Sequence, residues 1–247
     1  MALRLAPAVE SVYDLPQVSN VCEQVLREVI RLTDVSLAHV TMAPRAVSLL
    51  HEHKKMREGY FMLGTNGLLY YGDQAFTINQ GLYFPIANGT PHKLRNTGEK
   101  ELEHLVFVSP PFNPTDVFLV DDKQHEPSPI MFVPVCEPLK IASDGAEVIE
   151  LDSNERATTK KGIALGKLPS YRAAAMHKHE KTDEVYYVIA GTGNMHLQGK
   201  KHAIEKGSVI VVPRGIEHGL ENLAAEPLIA LCLSSPPYTE SDFIRVN

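Results

Sequence analysis

The chain has 247 residues, of which 44% are hydrophobic and 22% are charged, proportions that suit a folded chain with a sizeable core and exclude wholesale disorder. A formal net charge of −6 argues against an extended basic surface for nucleic acid. No apolar run reaches the roughly 18–20 residues that span a bilayer, and the N-terminus lacks the apolar stretch of a signal peptide. We therefore expect a cytoplasmic protein without nucleic-acid or membrane partners.

Short apolar runs separated by glycine and proline predict an all-β chain. The first run, residues 21–32, fits either an amphipathic helix or a strand by its spacing, and we favour a strand. Strands and turns then follow each other from residue 37 to residue 107. In the second half, the predicted strands are residues 185–189, 194–197, 208–212 and 228–233. Several short strands at such close spacing predict an antiparallel sandwich or barrel.

A duplication underlies this pattern. Three histidines and one glutamate of the first half have a counterpart of the same type 126 positions further on. They are His51, His53, Glu58 and His92, matched by His177, His179, Glu184 and His218. The sequence SPPF at 109–112 recurs as SPPY at 235–238 with the same offset. We therefore predict two copies of one module in tandem.

The two copies define the predicted domains. Residues 1–115 form an N-terminal barrel, residues 116–161 a connector, and residues 162–247 a C-terminal barrel. The connector is long for a loop and contains several prolines. We therefore predict edge strands within it, at residues 130–135 and 147–151.

The matched residues carry the pattern of a metal site. A His-x-His pair on a strand places two imidazoles on one face, and a carboxylate after a turn and a later histidine can join them. Three imidazoles and one carboxylate suit a borderline divalent metal and leave positions open for water, oxygen or a substrate. We predict up to two such metals per chain. Fe(II) and Mn are the first choices, with Zn, Ni and Cu as alternatives.

These residues resemble the motifs of the cupin superfamily. In the second copy, His177-x-His179-x4-Glu184-x6-Gly191 matches the first cupin motif, and Gly207-x5-Pro213-x-Gly215-x2-His218-x3-Asn222 matches the second. The first copy keeps all four ligand positions. It departs in the turns, where Arg45, Thr65 and Ala87 replace two glycines and a proline.

The resemblance implies a bicupin, a chain of two tandem jelly-roll antiparallel β-barrels with a metal near the mouth of each. By the same resemblance, the metal ligands are the eight residues His51, His53, Glu58, His92, His177, His179, Glu184 and His218. Asn96 and Asn222 are interpreted as structural residues that hold a turn.

Side chains two positions from a ligand share its face and are expected to point into the barrel. This rule selects a substrate pocket of Tyr60, Met62, Leu94, Ala175, Val188 and Leu220. It also selects Val47, Leu49 and Ala173. Tyr60 and Tyr186 occupy matched positions, and each is interpreted either as a phenol beside the metal or as a core aromatic. Arg45 is interpreted as a surface arginine, with an anion clamp in the first site as the alternative.

Our leading hypothesis for function is a dioxygenase-type oxidoreductase acting on a small organic substrate that chelates the metal. Glu184 accepts a proton and Tyr186 steadies the intermediate in this hypothesis. One alternative is a non-redox isomerase, epimerase, lyase or decarboxylase with the metal as a Lewis acid. Another is a metal-stabilised module that binds a small molecule without turnover. We prefer the second barrel as the catalytic one, and the chain as a monomer or a homodimer.

Overall fold

The computed structural model describes residues 5–122, 127–132, 138–152 and 161–246. Their contacts divide them into two compact units. Residues 15–132 belong to the first unit, and residues 5–14 and 138–246 belong to the second. The N-terminal strand β1 (Ala8–Ser11) therefore lies in the second unit, whereas the sequence analysis assigned these residues to the N-terminal barrel. Its partner is the strand Ser208–Val212, which it covers in antiparallel register.

The first unit contains twelve of the described strands, arranged in two six-stranded sheets. They are β2 (Val18–Ser19), β3 (Val25–Arg31), β4 (Ser36–Met42), β5 (His51–His53), β6 (Arg57–Met62), β7 (Gly67–Tyr71), β8 (Gln74–Ile78), β9 (Tyr83–Ile86), β10 (His92–Asn96), β11 (Leu102–Ser109), β12 (Val117–Leu119) and β13 (Ile130–Met131). One sheet has the order β2-β3-β4-β11-β6-β9, and the other has the order β12-β5-β10-β7-β8-β13. The pattern at residues 21–32 thus contains a strand, β3, as we favoured, and residues 21–24 form the turn before it.

The second unit has a seven-stranded and a five-stranded sheet. Besides β1, its strands are β14 (Lys140–Ile141), β15 (Glu147–Asp152), β16 (Gly162–Leu168), β17 (His177–His179), β18 (Asp183–Ala190), β19 (Thr192–Leu197), β20 (Lys200–Glu205), β21 (Ser208–Val212), β22 (His218–Glu221), β23 (Leu228–Ser235) and β24 (Phe243–Arg245). The sheet orders are β1-β21-β18-β23-β16-β15-β14 and β20-β19-β22-β17-β24. All four strands predicted in this half lie within β18, β19, β21 and β23.

Four of the described strands, β12 to β15, fall in the predicted connector, and two of them coincide with the strands expected there. β13 begins where a strand was expected, at Ile130, and it lies at the edge of its sheet; residues 133–135 lie outside the described residues. β15 covers the other expected strand but is not at an edge, because β14 pairs with its free side.

The core of each unit lies between its two sheets, in the arrangement of a jelly roll rather than of one continuous closed barrel. In the first unit, Tyr60 and Met62 of one sheet pack with Leu69 and Leu94 of the other. In the second unit, the matching cluster contains Val188 and Met195. The predicted all-β fold of two jelly-roll modules is therefore confirmed.

The helical residues of the described chain form three short 3-10 turns, Val12–Asp14, Pro114–Asp116 and Glu240–Asp242. None of them has the length and apolarity of a helix that crosses a membrane.

Candidate metal centres

The first cluster of ligand-type side chains joins the two sheets of the first unit. His51 and His53 lie on β5, His92 lies opposite His51 on β10, and Glu58 comes from β6 in the other sheet. All four residues are buried, and one ligand atom from each lies within 4.8 Å of the others. Sequence analysis grouped the same four residues, and the fold brings them together.

Each imidazole of this cluster is oriented by a backbone carbonyl. Nδ1 of His51 donates to the carbonyl oxygen of Leu49 at 2.8 Å, and Nδ1 of His92 donates to that of Thr90 at 3.0 Å. His53 makes the same contact with Asp116 at 3.1 Å. A carbonyl oxygen only accepts, so Nδ1 carries the proton and Nε2 of each neutral ring presents its lone pair to the cluster.

The second cluster repeats this arrangement in the second unit. It consists of His177, His179, Glu184 and His218, all buried and with ligand atoms within 4.8 Å of one another. The Nδ1 atoms again donate to backbone carbonyls, at 2.8 Å for His177, 3.0 Å for His179 and 3.0 Å for His218. Nε2 of His218 lies 3.0 Å from Oε2 of Glu184. The duplication therefore extends from the sequence to the side-chain geometry.

Two aspartates that the sequence analysis did not single out hold these clusters in place. The buried carboxylate of Asp116 accepts hydrogen bonds from the backbone N–H groups of residues 54–56, and that of Asp242 accepts from residues 180–182. These two segments, residues 54–56 and 180–182, are the turns that connect each His-x-His strand to the glutamate of its cluster. The two aspartates are 126 positions apart, so the offset that revealed the histidines would also have found them.

The electrostatics of the clusters favour a cation. Burial alone would raise the pKa of Glu58, but the adjacent imidazoles of His53 and His92 hold it well below its ordinary value. In the second cluster, His218 and its neighbours overcome burial and lower the pKa of Glu184 to about 2. Burial, reinforced by a neighbouring histidine, lowers the pKa of His51 and of His177 to about 4. At neutral pH each site therefore offers an ionised carboxylate together with one imidazole, that of His51 or His177, that is uncharged.

These features fit a divalent metal. The Nε2 atoms and the carboxylate converge on one point in each unit, and three nitrogen donors with one oxygen donor suit Mn, Fe, Ni, Cu or Zn. Nε2 of His53 is buried and makes no hydrogen bond of acceptable geometry, although Oε1 of Glu58 lies 3.2 Å away. A cation between them would satisfy both atoms.

The matched tyrosines lie beside the cluster glutamates. The hydroxyl of Tyr186 donates to Oε2 of Glu184 at 2.8 Å and lies 3.4 Å from Nε2 of His218. The ring of Tyr60 has its centroid 6.2 Å from that of His92. Burial, with the nearby glutamate as the next cause, raises the pKa of both phenols well above its ordinary value. Both hydroxyls therefore stay protonated and able to donate.

The other residues predicted for the substrate pocket have mixed positions. Met62, Leu94 and Val188 are fully buried in the cores of their units, and Leu220 is half-buried against the core. Ala175 acts through its backbone, because its carbonyl oxygen holds His177.

The predicted alternation of inward-facing side chains does not extend to the residues that precede the His-x-His pairs. Val47 is 43% exposed and Ala173 is also exposed, because the residues preceding β5 and β17 form loops rather than a continuation of the strand. Leu49 is half-buried in the same loop as Val47. Arg45 adopts a positive φ of 64° and forms an exposed ion pair with Glu99. The surface interpretation of Arg45 is thus supported, and the anion clamp is ruled out by this position.

A cavity of about 270 Å³ reaches the first cluster. His51, Glu58 and Tyr60 form part of its wall, and Cys22 and Gln24 form another part. Sequence analysis missed these last two residues, and the offset carries no signal for them, since Val148 and Glu150 stand at the matched positions. In the second unit, the thiol of Cys232 lies 3.6 Å from Oε1 of Glu184.

Comparison with known proteins gives the following relationships. A family model described as a cupin domain matches residues 38–108 and 167–234. An uncharacterized protein of Methanocaldococcus jannaschii is 35% identical over 103 residues, which are 41% of this chain and 82% of that protein. The oxalate-binding protein of Thermotoga maritima is 36% identical over 77 residues, which are 31% of this chain and 64% of that protein.

Among solved structures, oxalate decarboxylase of Bacillus subtilis, a protein with Mn(II) centres, aligns with a TM-score of 0.67. The alignment covers 96% of this chain and 79% of the decarboxylase, at 18% sequence identity. At that identity the likeness concerns the fold of two cupin modules.

Proposed function

The chain belongs to the cupin family, and on that basis we propose that it is a metal-dependent enzyme that decarboxylates a small organic acid chelated at a bound cation. The observation that carries the proposal is the convergence of three imidazole Nε2 atoms and one ionised carboxylate in each unit. Four protein donors leave positions open on a metal that prefers five or six ligands.

The eight clustered side chains would hold the metals, four in each unit. A bound divalent cation acts as a Lewis acid on the oxygens of a chelated substrate. Mn is our first choice, since the decarboxylase of the same fold has Mn(II) centres, and Fe(II) is the alternative. Both are compatible with a mixed nitrogen and oxygen donor set.

The substrate class is suggested by chemistry and by relatives. A carboxylate with a second oxygen on the adjacent carbon chelates a cation through a five-membered ring and fills two open positions. One relative, 36% identical over its aligned residues, is an oxalate-binding protein. We therefore place oxalate and 2-oxo acids first among the substrates to be tested.

Two groups of the second unit have distinct roles in this proposal. Glu184 has a pKa of about 2, which makes it a weak base, so we assign it to holding the cation. Tyr186 keeps its proton and donates to Glu184 at 2.8 Å. Its hydroxyl is the group placed to turn toward a substrate oxygen, and Tyr60 occupies the matched position in the first unit.

Decarboxylation and dioxygenation have different stoichiometries. In decarboxylation the carboxylate leaves as CO₂, a proton replaces it on the remaining carbon, and no oxygen is consumed. In dioxygenation one O₂ is consumed for each product molecule. The apolar side chains that line the cavity of the first unit, such as Leu26 and Val40, favour the dioxygenase as a second candidate, because they suit a substrate larger than oxalate.

The test is to load the purified chain with Mn(II) or Fe(II), confirm the metal content, and supply oxalate or a 2-oxo acid under air. CO₂ release is followed together with oxygen uptake. Release of CO₂ without net oxygen uptake supports the decarboxylase. Uptake of one O₂ for each product molecule formed supports the dioxygenase. A fully loaded protein that binds these acids but yields no product would contradict both and favour a binding module. Tyr186→Phe and Tyr60→Phe show which unit carries the reaction.

A further inference from the structure

The side-chain amide of Gln24 has an N–H donor that no acceptor of the other described residues satisfies. Its side chain is 6% exposed, and its Nε2 is buried without a hydrogen-bond partner. A buried N–H group of this kind costs free energy unless an acceptor from outside the chain satisfies it. Gln24 is therefore a candidate residue for binding an acceptor atom of a ligand.

The orientation of the amide follows from its neighbours. Oδ1 of Asn20 accepts the backbone N–H groups of Cys22 and Gln24, both at 2.9 Å. The Nδ2 group of Asn20 must then be the part that faces Gln24, and it donates to Oε1 at 3.2 Å. This network fixes the oxygen of the Gln24 amide toward Asn20 and leaves its Nε2 as the free donor.

The same turn is tied to the first metal cluster. The carbonyl oxygen of Cys22 accepts the backbone N–H of Leu49, and the carbonyl oxygen of Leu49 holds His51. Cys22 and Glu58 also line the same cavity, which places the turn close to that carboxylate. The turn that contains Cys22 and Gln24 is thus connected to His51 by two successive hydrogen bonds through Leu49.

Gln24 also lines the cavity that reaches the cluster. The cavity wall extends from exposed Val18 and Val21 to buried His51 and Glu58. Its volume of about 270 Å³ corresponds to roughly nine water molecules at ~30 Å³ each, which is room for a small organic molecule.

We propose that Nε2 of Gln24 donates a hydrogen bond to a carboxylate oxygen of a ligand chelated at the first metal centre, and that this ligand carries an apolar substituent. The inference rests on the proposed function, since the metal supplies the other contact. The donor selects a ligand with an acceptor oxygen, and the side chains of Leu26, Val40 and Val106 along the cavity favour an apolar body.

The assignment is specific to the first unit. Glu150 stands at the position matched to Gln24, and it forms an ion pair with Lys140 at 3.3 Å on the sheet of the second unit. Selection by Gln24 would therefore make the two centres differ in ligand, although their metal donors are the same.

The test uses two substitutions in the full chain. Gln24→Glu keeps the oxygen that Asn20 contacts and replaces only the free N–H donor by a second oxygen. Gln24→Met keeps the side-chain length and removes both polar atoms. Gln74→Leu, at an exposed glutamine of the same unit, is the control. All carry His177→Ala, which removes a ligand of the second centre, and all are loaded with Mn(II).

The probe is 4-methyl-2-oxopentanoate, a chelating acid with an apolar tail, titrated by calorimetry after metal analysis and a melting curve. We expect Gln24→Met to weaken binding about tenfold to a hundredfold, the range for a hydrogen bond to a charged acceptor. Gln24→Glu should weaken it further by repulsion between carboxylates. Metal content should not change in either variant, the Gln74→Leu control should bind the probe like the parent chain, and the melting curve establishes that each variant is folded at the temperature of the titration.

The outcomes separate the inference from the proposed function. If the parent chain binds no Mn(II), or binds Mn(II) but not the probe, the proposed function fails. If the parent binds the probe and both Gln24 variants bind it equally well, the inference fails, because a water molecule then satisfies the amide. Tighter binding by Gln24→Glu, or loss of metal from either variant, would also overturn it. Should one variant not fold, the other decides.

Discussion

The carbonyl oxygen of Asp242 lies 3.0 Å from Nδ1 of His179, while the carboxylate of Asp242 accepts hydrogen bonds from the backbone N–H groups of residues 180–182. One residue thus fixes both an imidazole and the turn that follows it. The turn leads directly to Glu184, so its geometry decides where the carboxylate of the cluster returns.

Replacement of this aspartate should therefore weaken the metal centre. We expect Asp242→Ala to lower the free energy of unfolding by about 2–4 kcal/mol, because several N–H groups lose a charged acceptor. Metal affinity of the second unit should fall roughly tenfold to a hundredfold, as is usual for partners of metal ligands. Urea unfolding and metal analysis measure the two effects. Glu240→Ala, at an exposed position in the same 3-10 turn, is the control. Unchanged metal affinity in Asp242→Ala would refute this role.

Each cluster should bind one cation independently of the other. We expect the unaltered chain to hold two equivalents of Mn(II), and His51→Ala or His177→Ala to hold one, because three donors grip the cation less well than four. Mass spectrometry of the metal after dialysis gives the stoichiometry. His202→Ala, at a half-buried histidine of β20, should keep two equivalents. Retention of two equivalents by both ligand variants would contradict the assignment.

The sequence predicted the features that repeat and missed those that occur once. The offset of 126 positions identified both clusters, because the same fold needs the same side chains at the same places. The N-terminal strand β1 pairs with β21 across about two hundred residues of sequence, and no local pattern indicates such a partner. Gln24 lies in a turn without a counterpart, so only the fold places it beside the first cluster.

The same contrast appears in the loops before the metal ligands. The inward alternation assumed a continuous strand before His51, but Arg45 adopts a positive φ and the chain turns there. The alternation rule fails where the backbone leaves the extended conformation. A rule based on strand geometry therefore places Tyr60 and Tyr186 correctly beside the glutamates and misplaces Val47.

Asn222 is interpreted as a residue that holds a turn, and the structure supplies a test. Its Nδ2 donates to the carbonyl oxygens of Leu168, Pro169 and Glu226 at 2.9–3.1 Å, and the residue is fully buried. We expect Asn222→Asp to cost about 3–5 kcal/mol, because a buried negative charge would face three acceptors. Urea unfolding measures the loss.

Asn96 makes the matching contacts in the first unit, so Asn96→Asp should have a similar cost. Asn88→Asp is the control, since exposed Asn88 donates a single hydrogen bond, and it should cost about 1 kcal/mol or less. A loss at Asn222 no larger than that at Asn88 would show that the three carbonyl contacts do not stabilise the turn.

The last prediction concerns pH. Burial, and next the charge of His39, lowers the pKa of His104 to about 3, whereas an unfolded histidine titrates near 6.5. Between these values the unfolded chain binds the proton and the folded chain does not, so stability present above pH 6.5 is lost as the pH falls toward 3. At pH 5 the loss from this residue is about 2 kcal/mol relative to pH 7. His104→Leu should reduce the difference in unfolding free energy between pH 7 and pH 5 by that amount, measured by urea unfolding of metal-free protein. Leucine also changes the packing, but this changes the free energy of unfolding at pH 7 and at pH 5 by the same amount. The difference between the two pH values therefore reports only the protonation of His104. His202→Leu is the control, and a His104→Leu difference equal to that of the unaltered chain would contradict the prediction.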